Sequence, residues 1–296
     1  VRHLLSDSTL HGVGLMDRQT EIERSIIKKY KKTIWNRFIS AINEYALIQP
    51  GDRVAVCISG GKDSMLLAKC MQHLQKYSDF PFETEYLVMD PGYHPQNRQK
   101  ILDNAEVMGL PIHVYDSDIF EFVSTQDDSP CYLCARMRRG HLYEYAKSLN
   151  CNKIALGHHF DDVIETVLMS MIYGAEIKTM MPKLKSTGHP GMELIRPLYM
   201  VRERDVIAWA RYNELEFIRC ACRFTEQTDA EEHENRSKRK MMKKLIAELE
   251  ADNRYTAMNI FQSIHNVNLS NVIGYREEDG GEWHSFLERY DSHGTV

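Results

Sequence analysis

An apolar run changes into a glycine-containing loop between Arg53 and Ser64, where the sequence reads RVAVCISGGKDS. Residues 53–58 predict a short buried strand, and residues 64–77 have the apolar spacing of a helix. Two adjacent glycines let a backbone approach a phosphate closely, and the start of a helix offers free N–H groups and a positive dipole end. The order of strand, loop and helix therefore predicts a phosphate-binding site made by Ser59, Gly60, Gly61, Lys62, Asp63 and Ser64.

The spacing of the glycines narrows the kind of phosphate site. A Walker P-loop needs a longer glycine spacing before Gly-Lys-Ser/Thr, so this loop is of another type. It resembles the pyrophosphatase loop, Ser-Gly-Gly-x-Asp-Ser, of enzymes that split ATP into AMP and pyrophosphate. The alternative is a junction that needs glycine only for its turn. The order of the flanking elements favours nucleotide chemistry.

Strands and helices alternate along most of the chain. This alternation is typical of the α/β class, with a Rossmann-like parallel sheet that has helices on both faces. The segment 178–193 contains two prolines and two glycines and is expected to be a loop. Further strands are predicted at 85–90, 112–115 and 153–157, and helices at 17–48, 96–108, 134–149, 162–173, 202–212, 231–250 and 252–265.

The composition is that of an ordinary globular chain of 296 residues, with 43% apolar and 27% charged residues. No run approaches the roughly 18 consecutive apolar residues that span a membrane. Residues 1–16 do not resemble a secretory signal, so we expect a cytoplasmic protein without a membrane partner. The net charge of −5 argues against nucleic-acid binding through bulk charge but allows local basic patches, which are offered at 28–32, 136–139 and 236–244.

The seven cysteines include two close pairs, Cys131 with Cys134 and Cys220 with Cys222. In a cytosolic chain this pattern favours metal or redox chemistry over a disulfide framework. The first pair opens a predicted helix, whose N-terminus favours the thiolate; zinc, a redox disulfide and an iron–sulfur cluster all remain open. The other three are expected to be small buried apolar side chains: Cys57, Cys70 and Cys151.

Acidic residues follow a predicted strand in the sequence GHHFDD, which runs from Gly157 to Asp162. Open α/β sheets bind ligands at the carboxyl ends of their strands, so this segment is expected to face the phosphate loop. Asp161 and Asp162 could cap the helix that begins here. They could also hold Mg²⁺ or position a leaving group, and the two functions are compatible.

Three arginines, Arg136, Arg138 and Arg139, follow the first cysteine pair on the same predicted helix. As solvated surface residues they would have no special role. Beside an anionic cluster site and an ATP loop they are interpreted as contacts to phosphate or RNA.

Together these motifs resemble the tRNA 2-thiocytidine synthetase family, within the pyrophosphatase-loop tRNA thiolases. The resemblance extends from about 48 to about 267 and is specific as a combination, although no single motif is. Besides the phosphate loop it rests on Gly51-Asp52-Arg53, Cys131-x-x-Cys134, Arg138-Arg139-Gly140, the residues from Lys153 to His159, Pro182-Lys183-Leu184 and Ile195-Arg196-Pro197-Leu198.

The resemblance implies an adenine nucleotide alpha hydrolase-like fold and a tRNA sulfurtransferase that converts ATP to AMP and pyrophosphate. ATP would adenylate the 2-oxo group of cytidine 32, because AMP leaves far more readily than a carbonyl oxygen. A [4Fe–4S] cluster with one open iron would provide the sulfur that replaces AMP, giving 2-thiocytidine. The implied cofactors and partners are Mg²⁺, tRNA and a sulfur donor, either sulfide or a persulfide from a cysteine desulfurase; a homodimer is expected on general grounds.

The resemblance also implies which residues perform these steps. The catalytic residues would be Asp63, Arg138 and Asp162, and the nucleotide site would include Asp90, Gly157 and His158 besides the loop. The cluster ligands would be Cys131, Cys134 and Cys222. The family usually has Cys-x-x-Cys near the third ligand, whereas this chain has Cys220-Ala221-Cys222, and the family spacing favours Cys222 over Cys220.

The expected organisation is an N-terminal helical segment at 1–48, an ATP-binding catalytic domain with the cluster site at 49–222, C-terminal helices at 223–270 and a mobile tail at 271–296. Other functions stay open. A uridine 2-thiolase or a small-molecule thiolase would share the loop, but the basic patches favour RNA, and seven cysteines are too few for two zinc ribbons beside a cluster. A zinc-stabilised RNA-binding protein without catalysis would need neither the loop nor a cluster.

Overall fold

The computed structural model describes residues 17–117, 119, 130–218, 230–277 and 280–292, with only the backbone described at 130–136, 230–237, 289 and 291–292. The chain divides into two compact units, one up to Leu245 and one from Ile246 onward. The four-part organisation expected from the sequence stays a prediction.

The first unit is built on a six-stranded sheet with the order β3-β2-β1-β4-β6-β5. Neighbouring strands are parallel except at one edge, where β5 runs antiparallel to β6. The α/β class and the parallel centre of the sheet are confirmed, whereas the antiparallel edge was not expected. The strands are β1 Arg53–Ile58, β2 Glu83–Asp90, β3 Ile112–Asp116, β4 Lys153–Ala155, β5 Lys183–Lys185 and β6 Glu193–Ile195.

The prediction of a loop at 178–193 is wrong, because this segment contains β5 and leads into β6 as a hairpin. Each of the two strands has only three residues, which is too short for a period of two to show in the sequence. The glycines belong to the turn of the hairpin, where Gly191 has a φ of +83°.

Helices surround the sheet and connect its parallel strands. From β1 the chain continues to β2 on one side, whereas from β4 it continues towards β6 on the other. The carboxyl ends of β1 and β4 therefore flank the point where strand order reverses, which is the usual ligand site of such sheets. The helices of this unit are α1 at 17–24, α2 Asn36–Glu44, α3 Lys62–Tyr77, α4 Pro95–Met108, α5 Pro130–Ser148, α6 Phe160–Gly174, α7 Glu203–Tyr212 and α8 Ala230–Asp252, whose last residues belong to the second unit.

The single helix expected at 17–48 is wrong in two respects. It ends at Glu44, and two π-helical turns, Ser25–Lys29 and Lys31–Trp35, separate α1 from α2. At the first turn the Tyr30 N–H donates to the Ser25 carbonyl, five residues back, at 2.9 Å. Apolar spacing alone does not distinguish such wider turns from an α-helix.

The second unit contains short elements. They are the end of α8, α9 Thr256–Ser263, a 3₁₀ turn Leu269–Asn271, the hairpin of β7 Gly274–Tyr275 with β8 His284–Ser285, and α10 Phe286–Ser292. The helix expected at 252–265 is therefore shorter than predicted. Among the described helices, none has both the length and the apolar character needed to cross a membrane.

Candidate active site

The phosphate loop adopts a backbone conformation that requires glycine. Gly60 has a φ of +81°, and a Cβ added there would lie 2.6 Å from Cγ1 of Ile101 and 2.7 Å from Cδ1 of Ile218. A side chain at this position would therefore be strained and would also clash. The glycine therefore lets the loop pack against Ile101 and Ile218 at the carboxyl end of β1.

Two serines close the loop on itself. The Ser64 hydroxyl accepts from the Ser59 N–H at 3.1 Å and donates to the Gly61 carbonyl at 3.0 Å. Gly61 is the N-cap of α3, and no described side chain caps the helix there. The N–H groups of the first turn of α3 thus stay available to an anion, as the sequence predicted.

Gly157 brings the end of β4 against this loop. A Cβ on Gly157 would lie 2.9 Å from the backbone nitrogen of Ser64 and 3.0 Å from the carbonyl carbon of Asp63. The structure therefore places Gly157 beside the phosphate loop, where the sequence analysis expected it. Its lack of a side chain is needed for close backbone approach and not for an unusual φ.

His159 connects Asp63 to Asp162. His159 is the N-cap of α6: its Nδ1 accepts from the Asp162 N–H at 3.4 Å, and its own N–H donates to Asp162 Oδ2 at 3.0 Å. Since Nδ1 accepts, a neutral ring carries its proton on Nε2, which lies 3.7 Å from Asp63 Oδ1. The predicted catalytic residues Asp63 and Asp162 thus face one histidine.

The expectation that Asp161 or Asp162 caps its own helix is confirmed for Asp162, which completes a capping box with His159. Asp161 instead binds the start of α7. Its carboxylate accepts from the Glu203 N–H at 2.6 Å and from Arg202 Nε at 3.1 Å.

Three buried polar atoms that follow β1, β4 and β6 lack a hydrogen-bond partner among the described residues. They are Asp63 Oδ1, His158 Nδ1 and Arg196 Nε. Burial lowers the pKa of His158 to about 4, so its ring is neutral at physiological pH. Such orphaned atoms fit a site that a ligand or cation completes.

Glu203 bridges the phosphate loop and α8. Lys62 Nζ lies 3.0 Å from Asp63 Oδ2 and 3.1 Å from Glu203 Oε1, while Lys243 Nζ lies 2.5 Å from Glu203 Oε2. Burial would raise the pKa of Glu203, but the hydrogen bond from Lys243 and the charge of Lys62 together lower it to about 2. Glu203 therefore stays ionised between two ammonium groups.

A second cation of α8 meets the carboxylates of α6. Arg239 Nη1 lies 3.0 Å from Asp162 Oδ1 and 3.8 Å from Glu165 Oε2. Burial raises the pKa of Glu165 to about 7 despite the charges of Lys243 and Arg239. Glu165 is thus a buried carboxyl that titrates near neutrality.

Asp90 and Arg138 belong to a neighbouring network. The Asp90 carboxylate accepts from the N–H groups of Gly92 at 2.8 Å and Tyr93 at 2.6 Å, and pairs with Arg98 at 2.7 Å. Arg138 Nη2 donates to the Tyr93 hydroxyl at 3.2 Å. Asp90 thus stabilises the turn after β2. Its role in nucleotide binding and the catalytic role of Arg138 stay predictions.

The cysteines fall into two groups. Cys57, Cys70 and Cys151 are buried free thiols, as expected, and burial raises the pKa of Cys57 to about 12 and that of Cys151 to about 11. Cys131 and Cys134 are the second and fifth residues of α5, and a separation of three residues places these two positions on one face of the helix. Their side chains, that of Arg136, and the whole of Cys220 and Cys222 lie outside the described part of the chain.

Three charged residues were not identified from the sequence as part of the site: Glu203, Arg239 and Lys243. Glu203 begins the helix after β6, and a strand predicted there would have placed it at the same sheet edge as the loop. The two cations of α8 were interpreted only as part of a basic patch, because nothing local indicates which face of a charged helix packs inward.

Comparisons with known proteins agree with this geometry. Residues 23–249 match the model of the PP-loop domain family. The chain is 34% identical to the tRNA-cytidine(32) 2-sulfurtransferase of Geobacter sulfurreducens, over 81% of this chain and 91% of that protein, and 38% identical to that of Photobacterium profundum, over 69% and 68%. Its fold is similar to that of the U34-tRNA thiolase NcsA from Methanococcus maripaludis with its [4Fe-4S] cluster, with a TM-score of 0.63, 21% identity and 83% of each chain covered. The chain belongs to the PP-loop family, among the tRNA-cytidine(32) 2-sulfurtransferases.

Proposed function

We propose that this protein thiolates tRNA at cytidine 32, using ATP to activate the base. The observation that carries the proposal is the phosphate loop, which presents uncapped N–H groups of α3 between Gly60 and Gly157, beside an unpartnered oxygen of Asp63. A non-catalytic RNA-binding protein has no use for this arrangement. The curated relatives act, by their names, on the same tRNA position.

The first step is adenylation of the base. The cytidine O2 attacks the α-phosphorus of ATP, a P–O bond forms, and pyrophosphate leaves. The N–H groups of α3 and Lys62 would hold the departing phosphates, since both are positive and lie together. Asp63 Oδ1 would be available to Mg²⁺, because it has no hydrogen-bond partner among the described residues.

The second step exchanges oxygen for sulfur at C2, and AMP leaves with the original O2. A [4Fe–4S] cluster held by Cys131, Cys134 and Cys222 would supply the sulfur nucleophile. The residues fit such a group, because Cys131 and Cys134 share one face at a helix start that favours thiolates. Arg138, one turn further along α5, would face the phosphate of the adenylated base.

We propose that the sulfur donor is sulfide or a persulfide from a cysteine desulfurase. We also propose that the protein is cytoplasmic and forms a homodimer. A uridine 2-thiolase is the second candidate, because the fold is similar to that of NcsA, which is named a U34-tRNA thiolase. The relatives' names favour cytidine.

Mass spectrometry of tRNA nucleosides from a deletion strain tests the proposal. We expect 2-thiocytidine to disappear and to return with the wild-type gene but not with Asp63→Ala. Loss of a thiolated uridine instead would favour the second candidate, and an unchanged nucleoside profile would contradict thiolation altogether.

A further inference from the structure

Helix α8 places two cations against the carboxylates of the active site. Arg239 contacts Asp162 at 3.0 Å, and Lys243 contacts Glu203 at 2.5 Å. The basic stretch that carries them, 236–244, was interpreted from the sequence as a patch that favours RNA. These two side chains instead point at the site.

Lys243 is separated from the phosphate loop by one carboxylate, and Arg239 is separated from it by a carboxylate and a histidine. Glu203 binds Lys243 with one oxygen and Lys62 with the other. One carboxylate oxygen of Asp162 pairs with Arg239, and the other accepts a hydrogen bond from the His159 N–H. Arg239 and Lys243 thus form an outer layer of positive charge around the loop.

The negative charge of the site gives this outer layer a function when the ligand is an anion. Five carboxylates meet here, those of Asp63, Asp161, Asp162, Glu165 and Glu203. Among the described residues, the only Lys or Arg side chains paired with them from outside α8 are Lys62 and Arg202. The two cations of α8 offset part of this negative charge, which would otherwise oppose the binding of a polyphosphate.

Both cations also keep a side open to a ligand. The side chains of Arg239 and Lys243 are 43% and 53% exposed, whereas their partners Asp162 and Glu203 are 19% and 17% exposed. A phosphate oxygen can therefore share each cation with its carboxylate and need not displace it.

We propose that Arg239 and Lys243 bind phosphate groups of the substrates, with Asp162 and Glu203 orienting them beforehand. The proposal rests on the proposed function, because it takes the loop as the ATP site. The phosphate oxygens belong either to the β- and γ-phosphates of ATP or to the tRNA backbone.

Binding measurements on the whole protein distinguish these sources. Calorimetry would give the affinities of wild type, Arg239→Gln and Lys243→Gln for α,β-methylene-ATP and for AMP, which lacks the outer phosphates. The matched control is Lys240→Gln, which removes one charge from an exposed position of the same helix. Arg239→Lys and Lys243→Arg keep the charge and test whether the charge alone is needed. If a neutral variant fails to fold, Arg239→Met or Lys243→Met replaces it. A second arm measures affinity for unmodified tRNA at several salt concentrations.

If the ATP phosphates are bound, both neutral variants should bind the ATP analogue at least tenfold more weakly than wild type does, and AMP no more than about twofold more weakly. The control should match wild type, and the charge-keeping variants should retain most of the affinity for the analogue. If the tRNA backbone is bound, nucleotide affinity stays constant, and tRNA affinity falls further than in the control, with a shallower salt dependence. Equal weakening of the analogue and AMP, or effects no larger than those of the control, would overturn the proposal. Wild type that binds neither nucleotide would overturn the ATP step of the proposed function as well.

Discussion

A methyl group on Gly157 would lie 2.9 Å from the backbone nitrogen of Ser64, so the end of β4 is packed directly on the first turn of α3. Ser64 closes the phosphate loop through its hydroxyl. The contact therefore links two neighbouring strands of the sheet at the loop that defines the site.

Gly157→Ala is expected to weaken binding of an ATP analogue at least tenfold, because the added carbon must push backbone atoms of the loop apart. Overpacking of this kind typically costs about 1–3 kcal/mol in stability as well. Calorimetry and thermal unfolding would measure both effects. Gly140→Ala is the control, since a Cβ there meets nothing within 4 Å; equal analogue affinities in the two variants would contradict the packing argument.

Asp63→Ala is expected to abolish thiolation while the iron content stays at the wild-type level. Asp63 lies in the phosphate loop, and its Oδ1, which has no hydrogen-bond partner among the described residues, lies 3.7 Å from Nε2 of His159. Iron analysis and visible absorption of anaerobically purified protein would report the cluster independently of activity. Parallel loss of iron and activity would show that the assigned role is wrong.

Glu165→Gln is expected to stabilise the protein relative to wild type as pH rises. Burial raises the pKa of Glu165 to about 7, whereas the unfolded chain ionises near 4.5. Wild type therefore loses stability between about pH 4.5 and 7, and the full cost, about 3 kcal/mol, persists above pH 7. The glutamine cannot ionise, so the variant escapes this cost.

Denaturant unfolding at pH 5 and pH 8 measures the effect. The free energy of unfolding of Glu165→Gln, taken relative to wild type, should increase by about 2 kcal/mol from the lower to the higher pH. Glu144→Gln serves as the control, because the Glu144 side chain is 71% exposed. A difference that does not change with pH would mean that Glu165 is ionised in the folded protein at both values.

Single alanine variants test the ligands of the cluster. Replacing Cys131, Cys134 or Cys222 should strip or degrade the cluster, whereas Cys220→Ala should keep a spectrum close to wild type, because an open iron requires only three protein thiolates. Visible absorption after anaerobic purification is the measurement. A cluster that survives Cys222→Ala but not Cys220→Ala would show that the third ligand is Cys220 and not Cys222.

The centre of the fold could be predicted because its signals are local. The apolar run before Ser59, the paired glycines and the helix after them specify β1, the loop and α3 from fewer than thirty residues. The burial of Cys57 and Cys70 followed from their places in that strand and helix. The hairpin of β5 and β6 was missed because three-residue strands carry no period.

The charges around the loop could not be predicted in the same way. Glu203 and Lys243 are remote from Lys62 in sequence, and only the folded chain shows that one carboxylate bridges the two lysines. The capping function of Asp161 likewise depends on where α7 begins in space. Pairings between distant elements leave no local pattern in a single sequence.

The most direct test of the proposed function is an anaerobic reaction of purified, cluster-loaded protein with unmodified tRNA, ATP and sulfide. Nucleoside mass spectrometry would quantify 2-thiocytidine, and chromatography would quantify AMP and ADP in the same samples. We expect 2-thiocytidine at position 32, with at least one AMP and one pyrophosphate released per sulfur incorporated and none of the product without ATP. Thiolation that proceeds without ATP, or ATP consumption that yields ADP, would contradict adenylation at the loop that contains Gly60 and Asp63.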